Sequence, residues 1–461
     1  MSKFILATLG IVLSAHVAEA TIVGWRTDGR YPNARPPAQW SGSEHAIWKT
    51  AEIAWSNASP VIVEDRVFVL GEPTTLLCLD RGSGSIRWQA SNDYAQVLDT
   101  DGIKEFIAEL EKAKPAQQQK LAELEQNIDT FEETDERSKR KLARMTRQVK
   151  QLKEQIKGRD PFKVPHAHED NGYTSATPIS DGEHVWAVFG TGTVVCYDVD
   201  GQRRWTRFLQ KPRHKFGHSA SPRMIDGKLI VAGNELFALD ALTGETVWRT
   251  ASEPHWGTPA VTHIGDTAVV ITTSGQIVAA DNGAVLAKGL PAMRWNGPHV
   301  VGRKVYFIED TSSAYELPAD VREPFEPKEL WTTRVAGSRH YASPVVDDSL
   351  VFTISREGTL SVLDAETGDL VYKKKLGLDS GGANSVYTSV SVAGGEVFVG
   401  SLEGEFVVFK PGRTFQEVSR HRLERLRSTP VFIKDRVYVR GLQHVYCLGP
   451  AMARTASQES N

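Results

Sequence analysis

The chain carries 3 cysteines among 461 residues, too few for the disulfide framework on which small secreted domains depend. No two cysteines are adjacent and no Cys-x-x-Cys-His occurs, which excludes covalent haem attachment of the c type. Beyond residue 20 no apolar run approaches the roughly 20 residues of a membrane-spanning helix. An excess of one charge is missing too. With 54 Lys+Arg against 57 Asp+Glu the formal net charge is −3, which argues against a nucleic-acid polyanion as the main partner. Gly-x-Ser-x-Gly, His-Glu-x-x-His and the phosphate-binding glycine loop are absent, and the acidic residues are dispersed through turns rather than paired.

What is present is apolar enough to fold: 40% hydrophobic and 24% charged residues are ordinary for a globular chain. The 38 Gly, 22 Pro and 11 Trp are the unusual counts, and many short elements separated by turns would use them. A unit recurs roughly every 40 residues. It opens on a small residue plus proline, runs through two alternating apolar stretches, turns at Asp-x-x-x-Gly and ends on an aromatic residue. The clearest copy is Ser221-Pro222, Leu236 to Asp240, Thr243-Gly244 and Trp248. Openings fall at Pro60, Pro178, Pro222, Pro259, Pro298, Pro344, Val390 and Pro430. Alternating strands at this period predict an all-β protein, an eight-bladed β-propeller of four-stranded sheets. The last unit lacks a closing tryptophan while Trp48 has no repeat before it, so the N-terminus is expected to supply the final strand of the last blade. Trp48, Trp88, Trp205, Trp248, Trp331 and Tyr372 read as wedges between neighbouring sheets. Cys78, Cys196 and Cys447 share one repeat position, held elsewhere by Ala238, Ala279 and Val362, and read as small core residues.

The Leu239-Asp240-x-x-Thr243-Gly244-x-x-x-Trp248 pattern resembles the tryptophan-docking repeat of quinoprotein-like (PQQ-repeat) β-propellers. It is similar to quinoprotein alcohol dehydrogenases and to the propeller of an outer-membrane-protein assembly lipoprotein. The resemblance spans the chain apart from its leader, one insertion and the tail after Pro450. It implies the fold and leaves function open. The dehydrogenases' vicinal disulfide has no counterpart here, so PQQ is not carried over as a cofactor.

Three stretches stand outside the repeat. Residues 1–20, with Lys3, an apolar run from Phe4 to Val17 and Ala18-Glu19-Ala20, read as a signal peptide and predict a periplasmic or secreted protein with no membrane span. Residues 451–461 read as a disordered tail. Between the first blade (within 21–100) and blades two to eight (161–450), residues 101–160 show heptad-spaced apolar positions such as Leu121, Leu124, Ile128, Leu142, Met145, Val149 and Leu152. Residues 101–136 hold 11 acidic and 4 basic residues and residues 137–160 hold 10 basic and 2 acidic. Arms of opposite charge attract, which predicts a coiled-coil hairpin turning near Thr130 to Asp135, with Pro115 kinking or breaking its first arm.

Residues just before each proline should converge on one mouth of the central channel. Four before it stand His218, His255, Arg294 and His340; three before it stand Asn57, Trp256, Trp295, Tyr341, Tyr387 and Arg427, with Tyr173 five before Pro178. A one-residue change of register would exchange which set faces the channel. Imidazoles can ligate a divalent transition metal or act as bases, arginine can hold a carboxylate, and indole faces can stack on sugars. Two functions stay open. One is a binding or protein-interaction module that takes a small anionic or carbohydrate-like ligand in its funnel and a protein partner on its hairpin. The other is a lyase-like enzyme on anionic carbohydrate, with His218, His255 and His340 as metal ligands or bases, Arg294 as charge clamp and Tyr341 beside them.

Overall fold

The computed structural model of the chain describes residues 22–93, 101–157 and 164–450, apart from 27, 38, 43, 44, 215, 254, 336, 338 and 380–385. The leader read at 1–20 and the tail at 451–461 lie outside the described residues. Eight sheets form eight blades, in each of which successive strands pair antiparallel. The innermost strands are Val61–Val63, Ile179–Ser180, Arg223–Ile225, Ala260–Ile264, His299–Val301, Val345–Asp347, Ser391–Ala393 and Val431–Ile433. Each starts one residue after an opening step, in seven blades because proline fixes the backbone and has no N–H to offer the ladder, and in blade seven after Val390. Blade eight takes its outer strand from the other end of the chain: Ala46–Lys49 pairs antiparallel with Val445–Leu448, and Trp48 lies opposite Cys447. Blade seven gains a fifth strand, Arg30–Tyr31, parallel to its innermost strand.

The closing tryptophans dock as the repeat predicts. Indole Nε1 of Trp48, Trp88, Trp205, Trp248 and Trp331 donates to the carbonyls of Arg81, Val199, Ala241, Ala280 and Ala365 in the next blade, at 2.8–3.0 Å. A glycine turn receives each ring. Gly244 sits at φ +72, and a Cβ there would lie 2.6 Å from the Trp205 ring, so both backbone and space demand glycine. The small repeat position lies directly across the ladder from these rings: Cys78 opposite Trp88, Cys196 opposite Trp205, Ala238 opposite Trp248. All three cysteines are free and buried. Apolar packing falls into eight clusters, one at each junction between successive blades. The protein therefore has a ring of interfacial cores rather than one central core.

The insertion forms helix α1 (Asp101–Asp129) and helix α2 (Glu136–Lys157), with the turn at residues 130–135. Asp135 caps α2, its Oδ1 accepting from Ser138 N at 2.7 Å. Glu125 pairs with Lys153 at 2.6 Å across the arms and Lys141 lies over the Phe131 ring at 5.2 Å. Pro115 does not break the first arm: α1 runs on through it.

Candidate functional site

Strand alternation decides what reaches the channel. In the segments leading into the innermost strands, the residue three before the opening faces the lumen and its neighbour one earlier faces away. Asn57, Trp256, Trp295, Tyr341, Tyr387 and Arg427 accordingly line a cavity of about 360 Å³ at the mouth. Ser175 takes the equivalent place in blade two. His218, His255, Arg294, His340 and Tyr173 are not among the residues lining it.

The lining closes on itself. Starting at His168, ring centroids follow one another through Phe216 (4.9 Å), Trp256 (5.4 Å), Trp295 (4.9 Å, nearly parallel), Tyr341 (5.3 Å) and Tyr387 (5.0 Å, nearly parallel). The Arg427 guanidinium lies 4.8 Å over Tyr387 and pairs with Asp170 at 2.8 Å, and Asp170 returns to His168 at 3.3 Å. Asn57 Nδ2 braces this arc by donating to the Asp170 carbonyl at 2.9 Å. A second guanidinium, Arg339, lies 4.9 Å over Trp295 and donates to the Tyr341 hydroxyl at 3.3 Å. Two carboxylates hold the rim from behind. Glu309 accepts from the backbone N–H of Arg294 and Trp295 at 2.9 and 3.0 Å, and Glu72 accepts from Tyr173 and Thr174 at 2.7 and 2.8 Å. Burial pushes both carboxyls up despite those bonds.

Below the rim lies a belt of hydroxyls. The residue before each opening is Ser or Thr in seven blades and Gly297 in blade five. The backbone N–H of Ser59, Thr177, Ser221, Ser343, Ser389 and Thr429 donates to the hydroxyl of the following blade at 2.9–3.1 Å, and Thr429 closes back onto Ser59. Ser221, Thr258 and Ser343 of this belt also line the cavity.

Trp25 forms part of the cavity wall from below. It belongs to an arch that crosses the channel: Val23 bridges to Ser180 in blade two, and Arg26 donates to the carbonyls of Pro344 and Val390 in blades six and seven at 2.9 and 2.6 Å. The funnel is thus a cup with a floor. Asn57 Oδ1, Ser219 Oγ, Asn296 Oδ1 and Arg427 Nε, all on lining residues, are buried and have no hydrogen-bond partner among the described residues.

The histidines expected to bind metal do not meet. His218 turns toward a small gap between blades two and three lined by Val188, Leu209, Gln210 and Phe237. His340 is fully buried with neither ring nitrogen partnered among the described residues. His255 is half-buried. Burial pushes the pKa of His218 and His340 down to about 4 and lowers that of His255, which Arg294 lowers further. Among the described residues no group of three or more His, Cys, Asp or Glu is placed to hold a metal ion. Strand parity turns these three histidines away from the cavity that the residues one position later line. Tyr173 instead ties the rim to the upstream segment, its hydroxyl donating to the Pro165 carbonyl at 2.7 Å.

The family described as outer membrane protein assembly factor BamB matches residues 134–313 and 327–459. The chain belongs to this family. No curated protein matches it. Among solved structures, the propeller is similar to BamB from Moraxella catarrhalis, at 14% identity and TM-score 0.55, covering 88% of this chain and 99% of that one. It is also similar to the quinohemoprotein alcohol dehydrogenase of Comamonas testosteroni, at 13% identity and TM-score 0.53, covering 94% and 81%. The quinohemoprotein alcohol dehydrogenase ADHIIG of Pseudomonas putida HK5 gives 12%, TM-score 0.51, and 92% and 79%. At these identities the likeness speaks for the fold. In this BamB-family propeller no described helix is long and apolar enough to cross a membrane.

Proposed function

We propose that the protein is an exported binding propeller, working outside the cytoplasm, whose cup engages a small anionic ligand with flat faces and whose hairpin serves as a coiled-coil docking arm for a protein partner. The observation that carries this reading is the closed circuit of His168, Phe216, Trp256, Trp295, Tyr341, Tyr387, Arg427 and Asp170 around a floored cavity. Indole and phenol faces stack on sugar or aromatic rings, and Arg339 offers a guanidinium that Trp295 orients and that pairs bidentately with a carboxylate. Membership of the BamB family and the leader-like first 20 residues support an interaction role in the cell envelope.

The test is a fluorescence titration of the mature chain with uronic-acid oligosaccharides and aromatic carboxylates, Trp256 and Trp295 being the reporters. A saturable change is expected that Trp295→Ala abolishes, Arg339→Gln weakens about tenfold, and deletion of residues 101–157 leaves intact. A flat titration with every probe would take the cup out of the function and leave the hairpin alone.

A further inference from the structure

Beneath the Trp25 floor the channel changes character. Arg26 on the arch is buried, and its two Nη groups are spent on the carbonyls of Pro344 and Val390. Arg223, the first residue of the blade-three innermost strand, donates from Nε to the Pro259 carbonyl at 3.0 Å and from Nη1 to the Trp25 carbonyl at 2.7 Å. The two guanidinium groups thus hang from neighbouring arch residues, one reaching blade four and the other blades six and seven. Between those blades stands His299, buried and occupying in blade five the repeat position that Arg223 occupies in blade three. Ser391 holds the same position in blade seven, next to the Val390 carbonyl that Arg26 grips.

Among the described residues, every hydrogen bond these arginines donate goes to a backbone carbonyl. Asp28, the acid nearest in sequence to Arg26, is engaged by Arg30 at its N–H (2.8 Å) and its Nε (3.1 Å). Meanwhile Arg26 Nε, His299 Nε2 and Ser391 Oγ are buried with no hydrogen-bond partner among the described residues. Carbonyl dipoles satisfy N–H groups and leave net charge in place, and Asp28, whose negative charge acts on Arg26 and His299, is shared with Arg30, so positive charge is in excess there. The geometry points to a small-anion site in the lower channel, held by Arg26, Arg223, His299 and Ser391, that takes a single inorganic anion of chloride or sulfate size.

Arg26 contributes its Nε–H, Ser391 its hydroxyl and His299 a neutral N–H, while Arg223 adds its charge from the blade-three side. Burial pushes the His299 pKa down to about 3, with Arg26 adding to that effect, Asp28 opposing it and Arg223 adding less, so the ring serves as a donor and brings no third cation. A bound anion would lock the arch to blades three, five, six and seven at once, and through Trp25 would set the depth of the cup above. The site is separate from the cup, so it stands or falls independently of the proposed function.

The experiment uses the full mature chain. Chloride-35 NMR linewidths are measured against protein concentration, and thermal melts are recorded at constant ionic strength while gluconate is exchanged for chloride or sulfate. Saturable excess broadening that sulfate displaces is expected, with a melting temperature that rises to a plateau as either anion replaces gluconate. Arg26→Gln should weaken the apparent affinity at least tenfold, and Ser391→Ala, which leaves the arch bonds intact, severalfold. If Arg26→Gln does not fold, His299→Leu makes the same test. Broadening that stays linear in the wild type, or affinity unchanged in the variants, would overturn the site.

Discussion

Two sets of tryptophans divide this molecule. Trp48, Trp88, Trp205, Trp248 and Trp331 close the blades, and each spends its indole N–H on a carbonyl of the next blade. Trp25, Trp256 and Trp295 surround the cup, are only partly buried, and make no indole hydrogen bond among the described residues. The first set is consumed by the fold and the second is left available by it. Place in the repeat, rather than residue type, decides which role an aromatic residue takes.

The contrast is broken most directly by truncating one member of each set. Trp248→Ala removes a buried ring and its bond to Ala280, and should cost about 3–5 kcal/mol in chemical denaturation. Trp295→Ala should cost less than about 1 kcal/mol, a cup-lining ring being no wedge. Equal losses would mean that the cup is simply more core. The histidines sharpen the same division one residue away. His218 and His340 titrate near 4 in the folded chain, below the ordinary value of 6.5. The unfolded chain therefore binds more protons between those values, so stability present above about pH 6.5 should be lost as pH falls toward 4. Replacing His340 with leucine should flatten that part of the pH profile of unfolding, whereas Tyr341→Phe, on the cup side, should leave it unaltered. The hydroxyl belt gives a smaller effect: Ser389→Ala strands the buried N–H of Ser343 and should cost about 1–2 kcal/mol. Smallest of all is the response of the thiols. Burial pushes Cys78 and Cys196 up to about 12, so neither should react with a thiol reagent at pH 8 until the protein unfolds.

Much of the architecture was legible in the chain because a repeat states its rule many times over. Eight opening steps, the orphaned Trp48 and the opposite charges of the two helical arms each correspond to an observed element. The cup was half legible. Six residues three before the openings line it, yet their neighbours four before do not, because reading the right segment does not fix the parity of its side chains. Arg339 and Phe216 were missed, since they stand at different distances from their openings. Trp25 and Arg26 were beyond reach for a different reason. They precede the repeat, follow no period and owe their places to blades two, six and seven, hundreds of residues away in part. The hydroxyl belt was visible as small residues, but its bonding depends on how closely the innermost strands approach one another.

The arch also sets an order of events. Its anchors in blades two and three are synthesised before Pro344, Val390 and the Val445–Leu448 strand, which come last. The earliest-made segment must therefore wait, unpaired, for the latest-made one, a contact of high sequence separation and correspondingly slow formation. Ring closure and the delivery of Trp25 to the bottom of the cup are then a single late event. A partly assembled propeller has no cup, and the cavity arrives together with the completed circle.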